Sequence, residues 1–113
     1  MTSLRHVGLL VENADRALTL YSDILKFHPR IDQVENDEFF QHLVGIDNSS
    51  ARTVKCYSSF DDSCIELIEY ITPKMKHRDK SINALGFNHI ALNVQNIESL
   101  SSDLTRIGLK FLS

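Results

Sequence analysis

The chain opens one structural pattern twice. "LRHVGLLVENADRAL" at residues 4–18 returns as "FNHIALNVQNIESL" at residues 87–100, and laying His89 on His6, an offset of 83, also matches Leu92 with Leu9, Val94 with Val11, Asn96 with Asn13 and Ile107 with Ile24. The matches fall on alternating apolar positions, a helix-capping asparagine and helix-core positions, which are what a repeated supersecondary unit has to preserve. At 113 residues the chain is too short for two independent domains of ordinary size, so the repeat predicts paired modules within one small domain.

In the first copy Leu4, His6, Gly8 and Leu10 alternate with Arg5, Val7, Leu9 and Val11. That predicts a strand, and because both faces are largely apolar, a central one. Asn13 is placed to cap a helix, with Asp15 in its positive first turn, and Ala14, Ala17, Leu18, Tyr21, Ile24 and Leu25 recur at helical spacing as far as about Phe27, ahead of Pro29. "RIDQVEN" then reads as a polar edge strand, while "DEFFQHLVGI" fits a helical turn and an extended lid equally well. "ARTVKCYSS" and "SCIELIEY" read as strands joined by an acidic turn at residues 60–62.

Residues 1–72 therefore compose a first β-α-β-β-β module, residues 73–86 a linker, and residues 87–113 the opening strand and helix of a second module. Lys74, Lys76, Arg78 and Lys80 in the linker form either a solvated face or a holder for an anionic substrate group. In the second module Ile97, Leu100, Leu104 and Ile107 make an apolar helical stripe that ends at Gly108. The counterparts of the last two strands of the first module do not appear in these residues.

Twelve basic and 15 acidic residues leave a net charge of −3, which gives no electrostatic reason to expect nucleic acid or an anionic membrane as partner. A small-molecule ligand is the expectation instead. No apolar run approaches the ~20 residues of a membrane span, and "MTSLRHVG" lacks the apolar stretch of a secretory signal, so a cytoplasmic protein is expected. Cys56 and Cys64 match neither a disulfide framework nor the spacing of a zinc site and read as free buried thiols.

Two histidines at equivalent steps of two equivalent strands would face one pocket if the modules pair about a pseudo-twofold axis. Neutral imidazoles with a carboxylate suit a borderline divalent ion, although a lone strand histidine is more often a satisfied core or edge residue. Glu66 is the natural carboxylate, because a charge among Ile65, Leu67 and Ile68 is costly unless paired or bound to metal. Alternation puts Glu66 with Ile68 and Tyr70, and Glu69 with Ile65 and Leu67; Glu69 is the competing candidate, with solvent exposure at the strand end as its plainer reading. His28, His42 and His77 read as surface residues.

"LRHVGLLVENADRALTLYSDILKF", "CIELIEY" and "GFNHIALNVQNIESLSSDLTRIGLKFL", about half the chain, resemble the vicinal oxygen chelate superfamily of glyoxalases, bleomycin-resistance proteins and dioxygenases. "IELIEY" and "GFNHIALNV" are most similar to glyoxalase I and methylmalonyl-CoA epimerase. The resemblance implies an α+β fold of paired β-α-β-β-β modules forming a cup-shaped mixed sheet, the second module being incomplete in this chain. It further implies His6, Glu66 and His89 as ligands of a divalent ion (Zn, Ni, Co, Fe or Mn), with Glu66 also catalytic.

The activity so implied is that of a metal-dependent lyase or isomerase, in which the ion chelates vicinal substrate oxygens and stabilises an enediolate or enolate while a carboxylate moves the proton. Three alternatives stay open: a metal-free ligand-binding module of the bleomycin-resistance kind, a non-catalytic truncated form, and an extradiol-type dioxygenase. The family's fourth ligand, a glutamate of the last strand, has no counterpart here. The open sheet edge needs covering, and a homodimer is expected to cover it.

Overall fold

A computed structural model describes residues 1–78 and 81–112; Asp79, Lys80 of the linker and Ser113 lie outside the described residues. The chain divides into two compact units, Met1–Met75 and Lys76–Ser113.

The first unit runs β1 (Val7–Leu10), α1 (Ala14–Leu18) continued by a π-helical stretch (Thr19–Ile24), β2 (Phe27–Glu35), α2 (Glu38–Val44), β3 (Ser50–Ser58) and β4 (Cys64–Thr72). The strands form one open sheet of four in the order β1-β4-β3-β2. β1 is parallel to β4, and the other pairs are antiparallel. This is a single β-α-β-β-β module of mixed sheet, and the α+β class follows.

α1 starts where Asn13, in extended conformation, accepts a hydrogen bond from the Arg16 amide, the arrangement that satisfies an otherwise orphaned helical N–H. The expected single helix loosens after Leu18: the Leu25 amide reaches back five residues to the Leu20 carbonyl at 2.9 Å, so Leu20 joins Tyr21, Ile24 and Leu25 among the half-buried residues. Lys26, at φ 63°, turns the chain. The helix ends ahead of Pro29 as expected, and Pro29 itself sits inside β2; it is tolerated because β2 is an edge strand whose register with β3 shifts between Pro29 and Ile31.

The ambiguous "DEFFQHLVGI" segment is helical. Asp37 accepts from the Phe40 amide and Gly45, at φ 71°, closes the helix in the left-handed region, so each end has its own stop signal. Phe40 is buried and lies 6.3 Å, centroid to centroid, from Tyr70. Between β3 and β4 the turn closes on the Ser58 amide to Ser63 carbonyl bond, with Asp61 accepting from the Ser63 amide.

One sheet face carries Val7, Leu9, Val54, Cys56, Ile65 and Leu67, matched across the ladders, and with Ala14 and Phe27 it makes most of the core. On this face Arg52 bridges Asp15 and Asp32, each at 2.8 Å. The other face carries Gly8, Glu66, Lys55 and Ile31 in one row, and Ala51 with Tyr70 further along. Cys56 and Cys64 are free buried thiols; their positions beside Ile65 and Tyr57 put them on opposite faces.

Two expectations from the sequence differ in the structure. β1 is an edge rather than a central strand, because β4 is its one ladder partner; Leu10 is left 61% exposed. In the second unit the helix forms as expected, α3 (Ile97–Arg106), capped by Asn96. Residues 87–94, however, belong to no strand among the described residues. The physical reason is that the first strand of a module takes its hydrogen bonds from the module's last strand, as β1 does from β4, and the described residues of the second unit include no strand.

Candidate functional site

β1 and β4 bring two of the three expected site residues together. His6, one step before β1, and Glu66 in the middle of β4 share the open face, with His6 Nε2 4.0 Å from Glu66 Oε1. Glu66 is largely shielded, its side chain 15% exposed, as expected for a carboxylate held on a strand between two buried neighbours, Ile65 and Leu67. The other carboxylate oxygen, Oε2, lies 3.8 Å from Lys55 Nζ. A half-buried carboxylate with a cation on one side and an imidazole on the other has its charge compensated.

Lys55 was not among the residues the sequence singled out. It stands directly opposite Glu66 on β3, and Gly8 stands directly opposite on β1. The signal was available: the short turn at residues 59–62 fixes the hairpin so that Tyr57 meets Cys64 and, two steps on, Lys55 meets Glu66. Gly8 leaves the row without a side chain beside the carboxylate; a Cβ there would touch Ile68 Cδ1 at 3.4 Å.

Glu69, the competing carboxylate, faces the helix. Its Oε1 accepts a 2.6 Å hydrogen bond from the Ala14 amide, so it neither joins His6 nor stands free in solvent. His89, the third expected ligand, belongs to the second unit, where its Nδ1 lies 2.8 Å from Asn88 Oδ1. Within the first unit no further His, Cys, Asp or Glu among the described residues joins His6 and Glu66 to make a metal-holding set of three. The imidazole and carboxylate present are a donor pair suited to a borderline divalent ion. His28 and His42 are exposed on β2 and α2, and His77 is exposed beyond β4.

The topology and the His–Glu pair define the class: one β-α-β-β-β module of a vicinal-oxygen-chelate fold. The family model for the glyoxalase/bleomycin resistance protein/dioxygenase superfamily matches residues 5–113, and the chain belongs to that superfamily. Among curated proteins none matches the sequence. Of solved structures, a glyoxalase family protein from Bacillus cereus superposes with a TM-score of 0.88 at 21% identity, covering 96% of this chain and 73% of that one. The fosfomycin resistance protein FosX from Listeria monocytogenes, complexed with Mn(II) and sulfate ion, superposes at 0.57 with 15% identity, covering 97% of this chain and 75% of that one. At these identities the structural likenesses bear on the fold.

Proposed function

We propose that the chain is part of a metal-dependent lyase or isomerase of the glyoxalase/epimerase type acting on a small molecule. The observation that carries the reading is the His6–Glu66 pair on the open face, 4.0 Å apart, at equivalent strand positions to those the superfamily resemblance implies. His6 Nε2 and a Glu66 oxygen would hold a divalent ion, with His89 as third ligand in the assembled protein. FosX, complexed with Mn(II), supports divalent-metal use within the superfamily.

The chemistry that a bound divalent ion supplies there is Lewis acidity toward two vicinal substrate oxygens, which acidifies the adjacent C–H bond. The rest falls to the chain. His6 is held against the sheet edge by β1, Glu66 is oriented between His6 and Lys55, and Gly8 adds no side chain of its own beside the carboxylate. Glu66 is the group in position to accept and return the substrate proton. β1, apolar on both faces and unpaired on its outer side, supports a homodimer in which a second copy covers that edge. The two reduced cysteines support a cytoplasmic setting.

The Lys55–Glu66 pair favours one second reading, a metal-free binding module, because Lys55 can satisfy Glu66 without an ion. Metal analysis of protein purified without added ions separates the two. Bound divalent metal in the wild type that is lost in His6→Ala, Glu66→Gln and His89→Ala supports the first reading; a stoichiometry unmoved by these changes overturns it.

A further inference from the structure

We propose that Lys55 makes the Glu66 site selective for an anionic ligand, so that a divalent cation and a small oxyanion bind there together or weakly; the proposal rests on the reading that Glu66 is a metal ligand. Glu66 has a neighbour at each of its oxygens, the His6 imidazole 4.0 Å from Oε1 and the Lys55 ammonium 3.8 Å from Oε2, and it is Lys55 that compensates its charge. Lys55 is not a wandering surface lysine: it lies on an inner strand of the sheet, its side chain 23% exposed, with Ile31 and Glu66 as its neighbours across the ladders. Its stem is therefore laid along the sheet and its ammonium is held at the carboxylate.

The charge balance follows from that placement. Lys55 and Glu66 together are neutral, so a divalent ion entering between His6 and Glu66 would leave two uncompensated positive charges and set a dication within a few ångströms of an ammonium. On a partly desolvated face such repulsion is not screened as it is in water. An oxyanion that reaches both the ion and Lys55 removes it. Gly8, across the ladder from Glu66 on the other side, adds no side chain of its own to the row, although Ile68 Cδ1 lies 3.4 Å from where its Cβ would stand. The ligand class is thus a small carboxylate-, phosphate- or phosphonate-bearing compound whose charged group lies next to its chelating oxygens. By linkage, whatever factor the anion gains from the cation, the cation gains from the anion.

The test is Mn(II) binding to the full chain, followed by the electron paramagnetic resonance of free Mn(II), with and without methylphosphonate at constant ionic strength. In the wild type methylphosphonate should tighten Mn(II) binding by about tenfold or more, the scale expected when a partly desolvated charge repulsion is relieved. In Lys55→Met, Mn(II) should bind tighter than to the wild type when no anion is present, and the enhancement by methylphosphonate should vanish; Lys55→Gln gives the same comparison if the methionine variant does not fold, and Lys55→Arg should keep the enhancement. Equal enhancement in wild type and the uncharged variants overturns the role of Lys55 while leaving the metal reading intact. Mn(II) binding by none of these proteins, or binding undiminished in Glu66→Gln, overturns both.

Discussion

Glu69 Oε1 accepts a hydrogen bond from the Ala14 amide at 2.6 Å, tying the end of β4 to the first turn of α1. Ala14 is fully buried, so its N–H has no water to turn to, and the carboxylate also meets the positive end of the helix. Asn13 serves the Arg16 amide at 3.0 Å. Between them the two side chains account for two of the helix's orphan donors, one locally and one across 55 residues of chain.

Glu69→Ala should therefore destabilise the first unit by about 1–2 kcal/mol, the loss of a cap together with a buried unsatisfied amide. Glu69→Gln, which keeps an acceptor oxygen but no charge, should cost less than half of that. Urea denaturation of the three proteins checks the order. Mn(II) binding should be unchanged in both variants, because Glu69 lies on the face opposite Glu66.

The two glutamates of "CIELIEY" show how far sequence alone reaches. Alternation is enough to put Glu66 and Glu69 on opposite faces, since side chains on a strand repeat every second residue. It does not say that one would meet a helix amide and the other a lysine, because both partners lie on elements remote in sequence. Lys55 was legible in principle through the hairpin register. Asp37 and Gly45 were likewise legible as helix ends, but two adjacent phenylalanines, Phe39 and Phe40, obscure the helical period between them. The fate of residues 87–94 was not legible at all: an alternating segment becomes a strand only where another strand offers its hydrogen bonds, and that is a property of the partner.

Arg52 holds together α1, β2 and β3 through Asp15 and Asp32. Its hydrogen bond to Asp32 keeps that carboxyl below its ordinary 3.8. A carboxyl with a depressed folded-state pKa stabilises the fold above its unfolded value and loses that contribution as the pH falls through the lowered one. Wild type should thus lose stability relative to Arg52→Met as the pH is taken from about 5 toward 2, by no more than about 1 kcal/mol, because the pair is partly exposed and screened. Thermal melts across that range, repeated at high salt where the difference should shrink, provide the measurement.

Burial pushes the Cys56 thiol up to about 11, with smaller contributions from Cys64 and Asp32. The thiolate is the reactive form, so Cys56 should remain unalkylated by iodoacetamide at about pH 8.5 in the folded protein and react once urea unfolds it. Mass spectrometry of the labelled peptides reads this directly. The same shift makes folded stability fall between 9.0, the ordinary value, and about 11, where the unfolded thiol ionises and the folded one does not; Cys56→Ala should flatten that alkaline limb.

Among the described residues α3 is the one regular element of the second unit, 10 residues long. Asn96 accepts from the Ser99 amide at 3.0 Å, a sound start, but the body is poor helix material. Ser101, Ser102 and Thr105 each turn a hydroxyl back on the carbonyl four residues earlier, which competes with the helical pattern. A helix this short does not hold in water on propensity. Its stripe of Ile97, Leu100, Leu104 and Ile107 is what has to stabilise it by packing, and Ile97 remains 61% exposed. A peptide spanning residues 94–110 should therefore be largely unstructured by circular dichroism, and Asn96→Ala should abolish whatever helicity trifluoroethanol induces at low concentration. A peptide that is mostly helical in plain buffer would mean that local signals, rather than packing, hold the second unit's helix.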